Sequence, residues 1–210
     1  MKFWKNGALK NHFIYNWWKY LLVLLVGIFG VDLLYTVTEP RIPDDKKIEM
    51  ISCGLSLNQD FEAYMENVRL TQMTDMIKME STEILIDDTT MQYLATRLFT
   101  RGGDLYLLPR EQFKSMVLNG VLLPLDQAED ADIKALLEDL DPDDGWGTTE
   151  NSNEKHLYGI PRNLIPGLNR YFLQNDDFLC ILSIGNNVEN AKKFFVILCR
   201  DMSAGIPEIN

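Results

Sequence analysis

Carboxylates at Asp139, Asp141, Asp143 and Asp144, with Glu150 beyond them, alternate in a way that suits a hard cation such as calcium, which collects oxygen ligands from successive loop positions. Ile133, Leu136, Leu137 and Leu140 place an apolar-faced helix just before them, as a helix–loop cation site requires. Gly145 comes one place late, however, Pro142 stiffens the loop, and Asn151 to Tyr158 lacks the pattern of an exit helix, which favours a solvated acidic loop. A second near-motif is Gly54-Leu55-Ser56-Leu57-Asn58, set between a strand and a helix where a hydrolase nucleophile would stand. It lacks the second glycine of Gly-x-Ser-x-Gly, and Ser56 or Asn58 as a helix cap accounts for it. With His12 ahead of the apolar amino-terminal run, His156 is the sole imidazole left for acid–base work. No histidine–cysteine cluster has metal spacing and no phosphate loop occurs. The expectation is a non-enzymatic protein with no cofactor and no bound metal.

The elements that would position any site alternate. Lys47 to Cys53 reads as a strand, and Leu57, Phe61, Tyr64, Met65 and Val68 as one face of a helix. Glu83 to Asp87 reads as a second strand. Asp88 or Thr89 then caps a helix whose apolar face is Met91, Leu94, Ala95 and Leu98. Gly102-Gly103 turns the chain into the continuous apolar run Leu105 to Leu108, as expected of a strand covered on both faces. Phe113, Met116 and Val117 repeat at helical spacing, and Asn119-Gly120 stops that helix. Near the carboxyl end, Asp177 to Ile184 is a further strand. Asn186 to Asn190 caps a last helix, with Ala191, Phe194, Phe195 and Leu198 on its apolar face. This order implies an α/β fold with a doubly wound, mainly parallel sheet. A ligand of such a sheet belongs at the carboxyl ends of the strands. Those ends present Gly54, Ser56, Asp87, Asp88, Pro109 and Arg110, and Arg110, opening a helix, is the one best able to hold an acid.

The segment from Gly103-Asp104 through Pro109, the Phe-x-x-Met helix, Asn119-Gly120 and Leu122-Leu123-Pro124-Leu125-Asp126 resembles the extracellular solute-binding proteins that serve ABC transporters. Tyr158-Gly159-Ile160-Pro161 is similar to that family's passage towards its second lobe, and the strand from Asp177 with the Asn-x-Glu-Asn-Ala helix to its return strand and helix. The resemblance covers about Lys47 to Asp201. It implies a periplasmic-binding-protein-like fold, a small solute such as a sugar or peptide, and a transporter subunit as partner. The family holds its ligand between two lobes, whereas this sequence has length for one, so the resemblance implies a single first lobe whose cleft face is left open to a protein partner, to self-association or to weak solute capture.

The amino-terminal third supplies the setting. The run from Trp17 to Val37, at about 1.5 Å per residue, reaches across about 30 Å of hydrocarbon. Lys2, Lys5, Lys10 and Lys19 precede it, which by the positive-inside rule places the amino terminus in the cytoplasm and the remainder outside. Residues 1–19 then form a basic, aromatic cytoplasmic segment, 20–38 an uncleaved signal anchor in the cell membrane, 39–46 a linker and 47–210 the lobe. Asp32 lies within the span, near its outer end. Of 20 basic and 31 acidic residues, four lysines and Asp32 fall in this region, leaving 16 basic against 30 acidic outside. Such a surface repels phosphate backbones and excludes nucleic acid as a partner. An outside location permits disulfides. Cys53, Cys180 and Cys199 fit either buried free thiols or a Cys53–Cys180 bridge.

Overall fold

The computed structural model describes residues 6–38, 42–53, 57, 60–85, 89–173 and 176–203. The chain divides into two compact units, Met1–Arg41 and Ile42–Asn210. The first contains one helix, α1 (Asn6–Thr38), within which Tyr15–Val37 is 23 residues of high hydropathy, long and apolar enough to cross a membrane. Its side chains between Tyr20 and Val37 are almost all exposed within the unit, as expected of a helix that is apolar all round.

The second unit is built on a five-stranded sheet. Its strands are β1 (Lys47–Cys53), β2 (Lys78–Ile84), β3 (Leu105–Pro109), β6 (Ile160–Pro161) and β7 (Asp177–Ile181), in the order β2-β1-β3-β7-β6. β1 runs parallel to both β2 and β3, with Lys47 opposite Lys78 and Met50 opposite Leu105. β7 is antiparallel to β3 and to β6, so four strands point one way and β7 returns between them. A separate hairpin joins β4 (Trp146–Thr149) to β5 (Ser152–Leu157).

Helices cover both faces because successive strand residues point to opposite sides. On one face, Ile48, Met50, Leu105, Leu107, Leu179 and Ile181 pack under α2 (Asp60–Thr71), α5 (Ala131–Leu140) and α6 (Val188–Ser203). On the other, Ile51, Cys53, Tyr106, Leu108, Phe178 and Cys180 pack under α3 (Thr90–Phe99) and α4 (Arg110–Leu118). The step β1–α2–β2 thus crosses one face and β2–α3–β3 the other, which is the doubly wound arrangement expected for the first three strands. Phe61, Tyr64, Met65 and Val68 are buried on α2, Phe113, Met116 and Val117 on α4, and Ala191, Phe194, Phe195 and Leu198 on α6. Gly120 takes φ +66°, the left-handed turn that stops α4.

Several expectations are corrected. The second strand is Lys78–Ile84 rather than Glu83 to Asp87, because seven residues pair in register with β1, and Leu85 beyond it is exposed. Leu57 precedes α2 and is half exposed instead of lying on its buried face. Ala95 is exposed; Leu94 is the buried anchor of α3. Cys53, Cys180 and Cys199 are all free and buried. Burial pushes the Cys53 thiol up to about 12, with Asp177 adding to the rise, so it behaves as an inert core group. After the acidic loop the chain enters strand β4, not an exit helix, and among the described residues no group of acids, histidines or cysteines is arranged to hold a metal ion.

Candidate functional site at the carboxyl ends of the strands

Parallel strands β3 and β6 each end in the same dipeptide. Pro109 closes β3 and is followed by Arg110; Pro161 closes β6 and is followed by Arg162. Both prolines are extended, at φ −58°, ψ 153° and φ −67°, ψ 141°. A proline at a strand end ends the ladder without leaving a donor unpaired. Between the two strands lies the start of β7, with Asp177 opposite Pro109 and Phe178 opposite both Leu108 and Pro161. The return strand therefore carries Asp176 and Asp177 into the space between two arginines.

Arg110 bonds both carboxylate oxygens of Asp176 and also reaches Asp144 Oδ2 at 2.7 Å. Its guanidinium lies 4.9 Å from the centre of the Phe178 ring, which stacks on Phe113 at 4.4 Å. Hydrogen bonds from Arg110 hold the Asp144 and Asp176 carboxyls below the usual carboxylate range, so both stay ionised. Arg162 is 3% exposed, and all five of its N–H groups are used. They go to Asn169 Oδ1, Asp177 Oδ2 and the carbonyls of Leu168, Phe172 and Leu173, at 2.6 to 3.3 Å. It pins the turns after β6 to the sheet and has no N–H left for a ligand.

Asp177 contrasts with its neighbour Asp176. It is 2% exposed, its Oδ2 accepts from Arg162 Nη1 at 2.8 Å, and its Oδ1 has no hydrogen-bond partner among the described residues. Burial raises its carboxyl above the ordinary value, an effect that Arg162 only partly offsets. These groups line a cleft of about 540 Å³, which Asp143 and Asn163 complete. The lining is polar, without an acid and a base set to transfer a proton. Its formal charge is −2, two arginines against Asp143, Asp144, Asp176 and Asp177.

Of the six residues expected at the strand ends, Arg110 lines this cleft and Pro109 closes β3 just before it; Gly54, Ser56, Asp87 and Asp88 lie outside the described residues. Arg162, Asp144, Asp176 and Asp177 were not foreseen as site residues, although the repeated Pro-Arg at 109–110 and 161–162 is a signal in the sequence. The acidic loop contributes through Asp144 bonded to Arg110, an ion pair in place of a cation. His156 faces Asp126 at 2.9 Å, away from the cleft, and that pairing raises its pKa.

The fold and site define a mixed α/β lobe with a polar, charged cleft where strands end, in a chain that also carries one helix capable of spanning a membrane. No protein-family model matches the chain, and no curated protein matches it significantly.

Proposed function

We propose that the protein is a membrane-anchored, extracytoplasmic module, similar to a solute-binding protein, which acts by binding rather than catalysis. In this reading α1 is the signal anchor, with the amino terminus in the cytoplasm, and the lobe serves as a single-lobed component of an ABC-type transport system. The observation that carries it is the meeting of Arg110, Asp144, Asp176 and Asp177 around one cleft at the carboxyl ends of parallel strands, where open α/β sheets take their ligands. The three parallel strands followed by an antiparallel return strand and its helix agree with the resemblance read from the sequence. The large acidic excess beyond the anchor suits small solutes and excludes phosphate-rich polymers.

A second reading draws on Leu57, Leu85 and Leu173, which are 50%, 61% and 42% exposed and follow β1 and β2 or precede β7 at the same end of the sheet. Apolar side chains there suit a protein partner, either a transporter subunit or a second copy of the chain. Thermal unfolding of the full chain in detergent micelles, with and without millimolar maltotriose, trialanine or spermidine, tests the first reading. A solute at one hundred times its Kd stabilises by about 2.7 kcal/mol, and Asp177→Asn should reduce the shift. Absence of any shift, together with a mass that doubles with concentration in light scattering, would replace solute capture by self-association.

A further inference from the structure

The cleft has an unequal supply of hydrogen-bonding groups. Its charged donors are almost spent: Arg162 has none left, and Arg110 has committed its Nε and Nη2 groups to Asp176 and Asp144, which leaves mainly the neutral amides of Asn163 and Asn169. Its acceptors are not. Among the described residues, Asp177 Oδ1 is buried without a donor and the exposed Asp143 carboxylate on the rim has no side-chain partner. A carboxylate oxygen buried without a donor costs more than a paired one gains, so such an atom in a folded protein calls for an explanation, and an arriving donor is one. Arg162 offsets one negative charge at Asp177, and Arg110 is shared by two carboxylates, which leaves the excess at Asp143 and Asp144.

Resting on the solute-capture reading above, we propose that the ligand of this cleft is a small organic cation bearing primary ammonium groups, with one ammonium directed to Asp177 Oδ1 and a second to Asp143. An ammonium carries three donors and no acceptor, which matches acceptors in excess. A neutral polyol must both donate and accept, and the spent arginines leave little for it to accept from. An anion meets net negative charge, and the donors facing it are Arg110 Nη1 and the side-chain amides of Asn163 and Asn169.

The test is isothermal titration of the full-length chain in detergent micelles with spermidine, maltotriose and glutamate as probes, at moderate salt so that diffuse attraction to an acidic protein is screened. Spermidine should bind, and the other two should not. Asp143→Ala, on the exposed rim, should weaken spermidine at least tenfold without affecting folding. Asp177→Asn, which keeps an oxygen for Arg162, should weaken it by more, provided its circular dichroism is that of the parent. Glu138→Gln, exposed on α5 away from the cleft, should leave the affinity unchanged. Equal weakening by Glu138→Gln and Asp143→Ala would mean general charge attraction and would overturn the assignment. Maltotriose or glutamate binding in place of spermidine would overturn the cation while leaving solute capture standing. Failure of all three probes would overturn both.

Discussion

The two ends of the same sheet carry similar residues in opposite conditions. At the amino end, Asp104 Oδ2 accepts from the Glu49 amide at 2.9 Å, and Glu49 is itself bonded by Arg97 and by Thr82 Oγ1 at 2.9 Å. Lys47 pairs with Asp44 at 2.8 Å, and together these groups line a cleft of about 240 Å³. There each acid described has a donor from its own chain, although Arg97 Nε is buried without a partner among the described residues, and the charges join β1, β3 and α3. At the carboxyl end, a more deeply buried pair, Arg162 and Asp177, leaves one oxygen without a partner among the described residues. The comparison separates charge that fastens strands from charge held ready for something else.

The largest effect should come from Arg162→Leu. It strands Asp177 as an uncompensated buried charge and removes the donors of three carbonyls, so a loss of about 3–5 kcal/mol is expected in urea unfolding. Arg162→Leu combined with Asp177→Leu should recover much of that loss. If the double variant were no better than the single, the pair would not be the fastening unit described here.

Gly145→Ala should come next. Gly145 has φ +90°, and a Cβ there would stand 2.0 Å from the Gly159 carbonyl oxygen. The contact joins the acidic loop to the segment leading into β6, so about 1–3 kcal/mol should be lost and Asp144 displaced from Arg110. A variant with parental stability and parental spermidine affinity would show that the loop does not shape the cleft.

The amino end makes a pH prediction. Burial raises Asp104 to about 7, above the ordinary value of 3.8. The folded state therefore binds a proton more tightly than the unfolded one. Asp104 costs nothing below about pH 4, and stability falls as pH rises towards 7 while the unfolded chain loses its proton first. Asp104→Asn should flatten that slope in midpoints measured from pH 4 to 8. A slope that persisted in the variant would have to arise elsewhere.

Arg110→Ala should have the smallest effect on folding, about 0–1 kcal/mol, since its carboxylate partners are 44% and 64% exposed. It should leave spermidine binding intact or strengthen it, because it removes a positive charge beside the acceptors. A large stability loss would place Arg110 with the fastening charges and blur the distinction between the two ends.

What the sequence disclosed follows from where its signals are local. β3 is legible because Leu105 to Leu108 is buried on both faces, and α4 and α6 because their apolar residues recur three and four apart. β2 was misplaced because it is the edge strand. In Lys78-Met79-Glu80-Ser81-Thr82-Glu83-Ile84 only Met79 and Ile84 are buried, so polar residues hide the strand and the apolar Leu85 beyond it invites a wrong boundary. Arg110 could be picked out because it opens a helix directly after a strand. Arg162 and Asp177 could not, since their meeting depends on β7 returning between β3 and β6, a pairing that no local spacing encodes. Asp144 was read as part of a solvated acidic loop because its partner, Arg110, lies 34 residues away.

Hydrogen–deuterium exchange of the full-length chain in detergent micelles, with and without saturating spermidine, tests the central claim most directly. The account predicts slowed exchange confined to the residues around Arg110, Asp143 to Gly145, Arg162 and Asp176 to Phe178, with no change around Glu49 and Asp104. Protection instead at the separate cleft of about 370 Å³ between Met73 and α6, or at the amino-end cluster, would contradict it.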